Sequence, residues 1–253
     1  MNGDPSLLLP DWPAPPGVHA LCTTREGGVS AGSFASLNLG GHVGDDPLAV
    51  QANRDRLRGR LGDARPVFLE QVHGTECVAL DGASADGTRA DACSTTARGL
   101  ACTIMVADCL PVLFADAHGR RVAAAHAGWR GLAAGVLERT VASFEGEGGA
   151  PGLLAWLGPC IGPDAFEVGD EVRAVFVDAE SQDARFFRPA GNEGKWLADL
   201  AGLARRRLQG AGLASIHGND SSEPWCTVHN PLRFFSHRRD RVSGRLAACI
   251  WLT

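Results

Sequence analysis

Two histidines and a cysteine occupy short motifs at which strands are expected to end. His73 lies in Gln71-Val72-His73-Gly74, Cys109 in Ala107-Asp108-Cys109, and His126 in Ala125-His126-Ala127-Gly128. Two imidazoles and a thiolate suit zinc, a borderline-soft ion that takes nitrogen and sulfur ligands and keeps one position open in catalytic sites. The intervals of 36 and 17 residues match no local zinc-binding pattern, so spacing alone leaves two other readings standing. One is a Cys109–His126 catalytic dyad, the other a set of buried polar residues. Asp108 adjoins the cysteine, and Asp91 follows a turn ahead of a strand. Either would move protons or orient a ligand histidine, against the ordinary role of a cap or solvated carboxylate. Arg130, in Gly128-Trp129-Arg130-Gly131, and Arg25, in a glycine-rich loop, are candidate anion ligands with a catalytic role. Their plain alternatives are a tight strand-to-helix turn packed by Trp129 and a flexible surface loop. Cys160 reads as a small buried residue before a fourth ligand, and Glu167 and Asp170 as helix-start residues.

The elements that must position these groups follow from pattern. Gly17 to Arg25 reads as a strand, and Asp46-Pro47 opens a helix with an N-cap and a first-turn proline, with Gly62 as its stop. Pro66 to Glu70 and Leu100 to Val106 read as strands ending at the first two motifs. Pro111 to Asp116 and Arg121 to His126 flank Ala117-His118-Gly119-Arg120, a β-hairpin. A helix is expected over 132–144 from Leu132, Val136, Leu137, Val141 and Phe144. Leu153 to Leu157 reads as a strand, Asp170 to Val177 and Trp196 to Leu208 as helices, and Arg245 to Leu252 as the last strand. Hairpin-like strands with interspersed helices predict an α+β fold on mixed sheets.

A chain of 253 residues, 45% hydrophobic, buries a substantial core, and one domain over residues 1–253 is the simplest division, with 1–16 as a proline-rich N-terminal segment. The net charge of −5 gives no basic field for nucleic acid. No stretch approaches the ~20 apolar residues of a membrane span, and the N-terminus lacks a basic, apolar leader. Eight cysteines without a CxxC pair read as reduced thiols, which predicts a cytoplasmic protein. The eight histidines are never closer than eight residues apart; the paired histidines of a multicopper oxidase cannot be built from them.

The segments QVHG, ADCLPVLFAD, AHAGWRG and GPCIGPDAFEVG, with TTREGGVS and FFSHRRD outside them, resemble the YfiH family, from about Leu21 to Leu252. That family was long labelled laccase-like and is described as purine nucleoside phosphorylases. The resemblance implies an αββα-type sandwich and a zinc ion on His73, Cys109 and His126, copper being conceivable but not as a cluster. It also implies phosphorolysis of adenosine, inosine, guanosine and 5′-methylthioadenosine, with adenosine deamination as a second activity. Purine nucleosides and phosphate are then the partners, on a monomer or small homo-oligomer. Asn38, Gln71, Arg25 and Arg130 become candidate substrate contacts. His237 stands where the family commonly has tyrosine. Amide hydrolysis in editing cell-wall precursors, by the same residues, is the rival activity, and a non-catalytic zinc-stabilised binding module a further one.

Overall fold

In the computed structural model, which describes residues 4–144 and 152–253, the N-terminal segment runs through strand β1 (Leu7–Leu8) into β2 (Val18–Thr23). The first three residues of that segment lie outside those described. Helix α1 (Pro47–Arg58) begins as expected: the Asp46 carboxylate accepts the Leu48 N–H at 2.9 Å, and Pro47 sits in the first turn. It stops at Gly59, earlier than the expected Gly62, which instead turns the chain at φ 63°. There follow β3 (Arg65–Phe68), β4 (Cys77–Ala79), β5 (Ala92–Thr95), β6 (Leu100–Val106), β7 (Leu110–Asp116) and β8 (Val122–Ala127). β7 and β8 form the expected hairpin. The buried Asp116 carboxylate closes it by accepting the backbone N–H groups of His118, Arg120 and Arg121.

Two helices differ from expectation. The one expected over 132–144 starts at Trp129 and is broken into α2 (Trp129–Ala134) and α3 (Val136–Ala142). Gly135 between them adopts φ 98°, a left-handed conformation that glycine enters without a Cβ penalty. After β9 (Leu153–Leu157), β10 (Glu167–Gly169), α4 (Asp170–Ala179) and β11 (Phe187–Pro189), residues Trp196 and Leu197 belong to a strand, β12 (Lys195–Ala198). The helix expected from Trp196 begins only at Leu200, as α5 (Leu200–Gly210), because Asp199 caps it by accepting the Gly202 N–H at 2.8 Å. The chain ends through β13 (Ser215–Gly218), the short α6 (His237–Asp240) and β14 (Leu246–Leu252).

The strands form a five-stranded sheet in the order β1-β2-β14-β6-β3, a six-stranded sheet in the order β13-β9-β7-β8-β5-β4, and a small sheet of β10, β12 and β11. Alternate side chains along each strand point to opposite faces. Cys102 and Ile104 of β6 and Ile250 of β14 therefore meet Leu113 and Ala115 of β7 and Trp156 of β9 between the two large sheets. Met105, Ala247 and Cys249 face outward against Leu57 of α1. Val112, Phe114 and Ala155 face outward on the other side, against Leu132, Val136, Val172, Phe176 and Leu203 of α2–α5. The layers run helix, sheet, sheet, helices, an α+β sandwich. Burial on both faces explains why β6, β7 and β14 are continuous apolar runs with no polar alternation. Among the described residues, no helix is long and apolar enough to cross a membrane.

Candidate metal centre

Cys109 lies where the chain crosses from β6 in one large sheet to β7 in the other. The crossing is tight, and Asp108 takes φ 93° to make it. The Asp108 carboxylate does not face the cysteine as a free base. It accepts the Thr227 hydroxyl at 2.6 Å and the Arg238 N–H at 2.6 Å, tying the crossing to the C-terminal loops. His126 is on β8, buried, and paired to Pro111 of β7. His73 is in the loop after β3 at φ 61°, an uncommon conformation for a residue with a side chain.

One carboxylate holds that loop and both histidines together. Asp91, just before β5, accepts the N–H groups of Val72 (3.1 Å), His73 (2.9 Å) and Gly74 (2.7 Å), and His126 Nδ1 at 2.8 Å. Its burial favours the neutral acid, but these hydrogen bonds, that of His126 foremost, bring its pKa below the usual carboxylate value. With Nδ1 engaged, His126 is left with Nε2 for the cluster. This is the carboxylate–histidine arrangement by which metal-binding imidazoles are oriented.

The donor atoms of His73, Cys109 and His126 all lie within 4.8 Å of one another, and this is the one such group of His, Cys, Asp or Glu among the described residues. Cys109 Sγ is 3.8 Å from His73 Nε2, and the two imidazole rings meet edge to face at 4.8 Å. Gly128 makes the approach possible: a Cβ there would lie 2.9 Å from His73 Cδ2 and 3.0 Å from Cys109 Sγ. Burial opposes a charged thiol, yet the adjacent His126 and His73 bring Cys109 down to about 6. Burial likewise opposes a charged imidazole, yet Cys109 and Asp91 carry His126 up to about 9. The group thus offers a thiolate and two imidazoles converging on one point, a donor set that can hold a metal ion and fits zinc.

The trio opens onto a cleft of about 820 Å³, within the ~300–1,000 Å³ usual for small-molecule sites. Gln71 lines it, with its amide paired to both backbone groups of Met105 at 2.8 Å. Arg54, Arg245, His42 and His237 line it as well. A smaller cavity of about 170 Å³, between Trp129, Phe166 and Ile161, shares Ala107, Cys109 and His237 with the cleft. The remaining candidates sit elsewhere. Arg25 donates to the carbonyls of Ala35 and Pro231 and stacks on Phe235. Arg130 is exposed and stacked on Trp129, at a helix of six residues. Asn38 is fully buried, its side chain bonded to Gly40, Asp45 and Arg245. Cys160 is buried with Asn219 against its sulfur, and Asp170 accepts from the Trp196 indole. Arg54, His42 and Arg245 had no motif to mark them. One signal was legible: Arg54 shares the inward face of α1 with Val50, Asn53 and Leu57, an unusual place for arginine.

A family model described as multi-copper polyphenol oxidoreductase laccase matches residues 19–253. A purine nucleoside phosphorylase of Pseudomonas aeruginosa is 54% identical over 247 residues, covering 97% of this chain and 98% of that protein. The purine nucleoside phosphorylase YfiH of Escherichia coli is 49% identical over 248 residues, with the same coverage of each. Among solved structures, a Neisseria meningitidis protein superposes with a TM-score of 0.91 at 45% identity, covering 98% of this chain and 99% of that one. The Bacillus licheniformis YfiH protein superposes with a TM-score of 0.90 at 31% identity, over 100% of this chain and 98% of that one. Sequence, fold and the shared length agree that the chain belongs to the YfiH family.

Proposed function

We propose that the chain is a zinc-dependent purine nucleoside phosphorylase, acting on adenosine, inosine, guanosine and 5′-methylthioadenosine, with adenosine deamination as a second activity. The observation that carries this reading is the convergence of His73, Cys109 and His126 within one nucleoside-sized cleft, in a chain whose relatives bear that name. Zinc held by the three residues would supply Lewis acidity beside the reacting bond. In phosphorolysis a phosphate oxygen bonds to C1′ of the ribose as the C1′–N9 bond breaks. The electron pair leaves on the purine, which takes up the proton the phosphate gives up. The chain's own task is to hold the two reactants in line and exclude water from C1′. Gln71 and His237, both lining the cleft, would contact the nucleoside. Metal-loaded protein given inosine and phosphate should yield hypoxanthine and ribose 1-phosphate; no free base from any purine nucleoside would end this reading.

A second reading has one observation in its favour. A thiol brought down to about 6 beside an imidazole raised to about 9 is also the ion pair of a cysteine hydrolase. The two differ in what stops them. As a metal ligand, Cys109 should resist alkylation in metal-loaded protein, and a chelator should abolish phosphorolysis and deamination together, with added zinc restoring both. Amide hydrolysis that survives thorough chelation and is lost on alkylating Cys109 would decide for the hydrolase.

A further inference from the structure

Besides the metal trio, the large cleft carries a group of nitrogen donors drawn from two distant parts of the chain: His42 and Arg54 from one, Arg245 from the other. They are held by the structure in different ways. Arg54 rises from α1, donates from Nε to the Leu39 carbonyl at 3.0 Å and stacks on the Phe68 ring at 4.0 Å. Its one ion pair among the described residues is with Asp86, at 3.7 Å, and that carboxylate is half exposed. Arg245 is fixed through a single terminal nitrogen, Nη1, to the carbonyls of Ser243 and Gly244. It makes no ion pair with a carboxylate among the described residues.

The backbone between the two arginines is glycine, and at Gly40 space requires it. A Cβ on Gly40 would lie 2.7 Å from Arg245 Cγ, and one on Gly41 would lie 3.9 Å from Arg54 Nη2. Buried Asn38 fixes this passage, since its amide bonds the Gly40 N–H and carbonyl and the Arg245 N–H. Burial, then Arg245 and Arg54, press the His42 pKa below its ordinary value, so the ring adds a neutral N–H donor to the two fixed charges. The acidic groups lining the same cleft are Asp86, already paired to Arg54, and the exposed Glu70. Guanidinium groups with unused N–H forks match a tetrahedral oxyanion. Arg245 and Cys109 line the same cleft, so an anion held by Arg245 shares that cleft with the metal trio.

We propose that Arg54, Arg245 and His42 form an orthophosphate subsite in the cleft that holds the metal trio. The assignment deepens the phosphorylase reading and rests on it for the role of the ion. It moves the anion site from the glycine-rich loop and the Trp129 turn to residues that share the cleft with the metal.

The test uses full-length, zinc-loaded protein and three variants, Arg245→Gln, Arg54→Gln and Arg245→Lys. Orthophosphate binding is measured by calorimetry without nucleoside, and KM for phosphate and for inosine by steady-state turnover. Each Gln variant should weaken phosphate binding and raise its KM about tenfold or more, the range expected for losing a charged hydrogen bond. KM for inosine should change less than about threefold by the same measure, zinc content should stay at the wild-type level, and Arg245→Lys should recover part of the loss. Phosphate KM unchanged in both active Gln variants would overturn the subsite while leaving the phosphorylase reading intact. Orthophosphate binding that needs Arg245, in a wild-type protein that cleaves no nucleoside, would uphold the subsite and end the phosphorylase reading. Binding of a nucleoside 5′-monophosphate through Arg245 with no binding of free orthophosphate would overturn the assignment to the free ion.

Discussion

Asp91 is a single side chain on which two of the three metal donors depend, since it fixes the His73 loop through three backbone N–H groups and His126 through Nδ1. Asp91→Asn keeps the shape but removes the charge and sets an amide N–H against one of those donors. Zinc affinity should fall about 10–100-fold, the effect usual for losing such a partner, as read by competition with a chelating dye. The protonation states predict a second result. At pH 7.5 Cys109, brought down to about 6, is already a thiolate, while His126, raised to about 9, still carries its proton. Zinc binding must expel that proton, so calorimetry in two buffers of different ionisation enthalpy should report about one proton released per zinc. The sign follows: apparent affinity rises about tenfold per pH unit between about 6 and 9, then levels off. Release of no proton would mean a neutral His126. The trio was legible in the sequence through strand-end motifs and resemblance, whereas the roles of Arg25 and Asn38 were not. A glycine-rich loop shows where backbone approaches closely but not which side chains turn inward, and both of these are consumed by local hydrogen bonds.

At the scale of elements, the junction of β8 and α2 decides how near the donors come. Gly128 has φ −68°, which any residue adopts, so its glycine is needed for space and not for conformation. Gly128→Ala should therefore fold with a near-normal circular dichroism spectrum but bind zinc about tenfold or more weakly, its methyl pushing His73 from Cys109. Unchanged affinity would mean that the loop after β3 yields freely. The strands around this junction were legible because burial on both faces makes β6, β7, β9 and β14 unbroken apolar runs. The helices were less so. Leu197 and Leu200 keep a helical interval across the β12–α5 boundary, and only the Asp199 cap marks the break. Similarly, Val136 and Leu137 continue the apolar face of α2 past Gly135, whose left-handed turn leaves no trace in periodicity.

Over the whole molecule, the described residues offer one group able to hold a metal, although the matching family model is described as a multi-copper laccase. Elemental analysis should give about one metal ion per chain, and copper-loaded protein should lack the absorption of a multicopper centre. Several ions per chain, retained in a His126→Ala variant, would contradict this. The layered architecture was legible as α+β, but its strand order was not, because pairing of β14 between β2 and β6 leaves no mark in local pattern. That pairing has a consequence for how the chain is made. A ribosome adding about 5–20 residues per second needs on the order of ten seconds to travel from the last metal ligand to the start of β14. During that interval β2 and β6 have left the exit tunnel with their facing edges unpaired, open to annealing with strands of other nascent chains. The three residues able to hold a metal are all synthesised by residue 126, whereas Arg245 emerges only with the strand that closes the sheet. Vectorial synthesis therefore delivers the His73–Cys109–His126 trio first and the Arg245 wall of the cleft last.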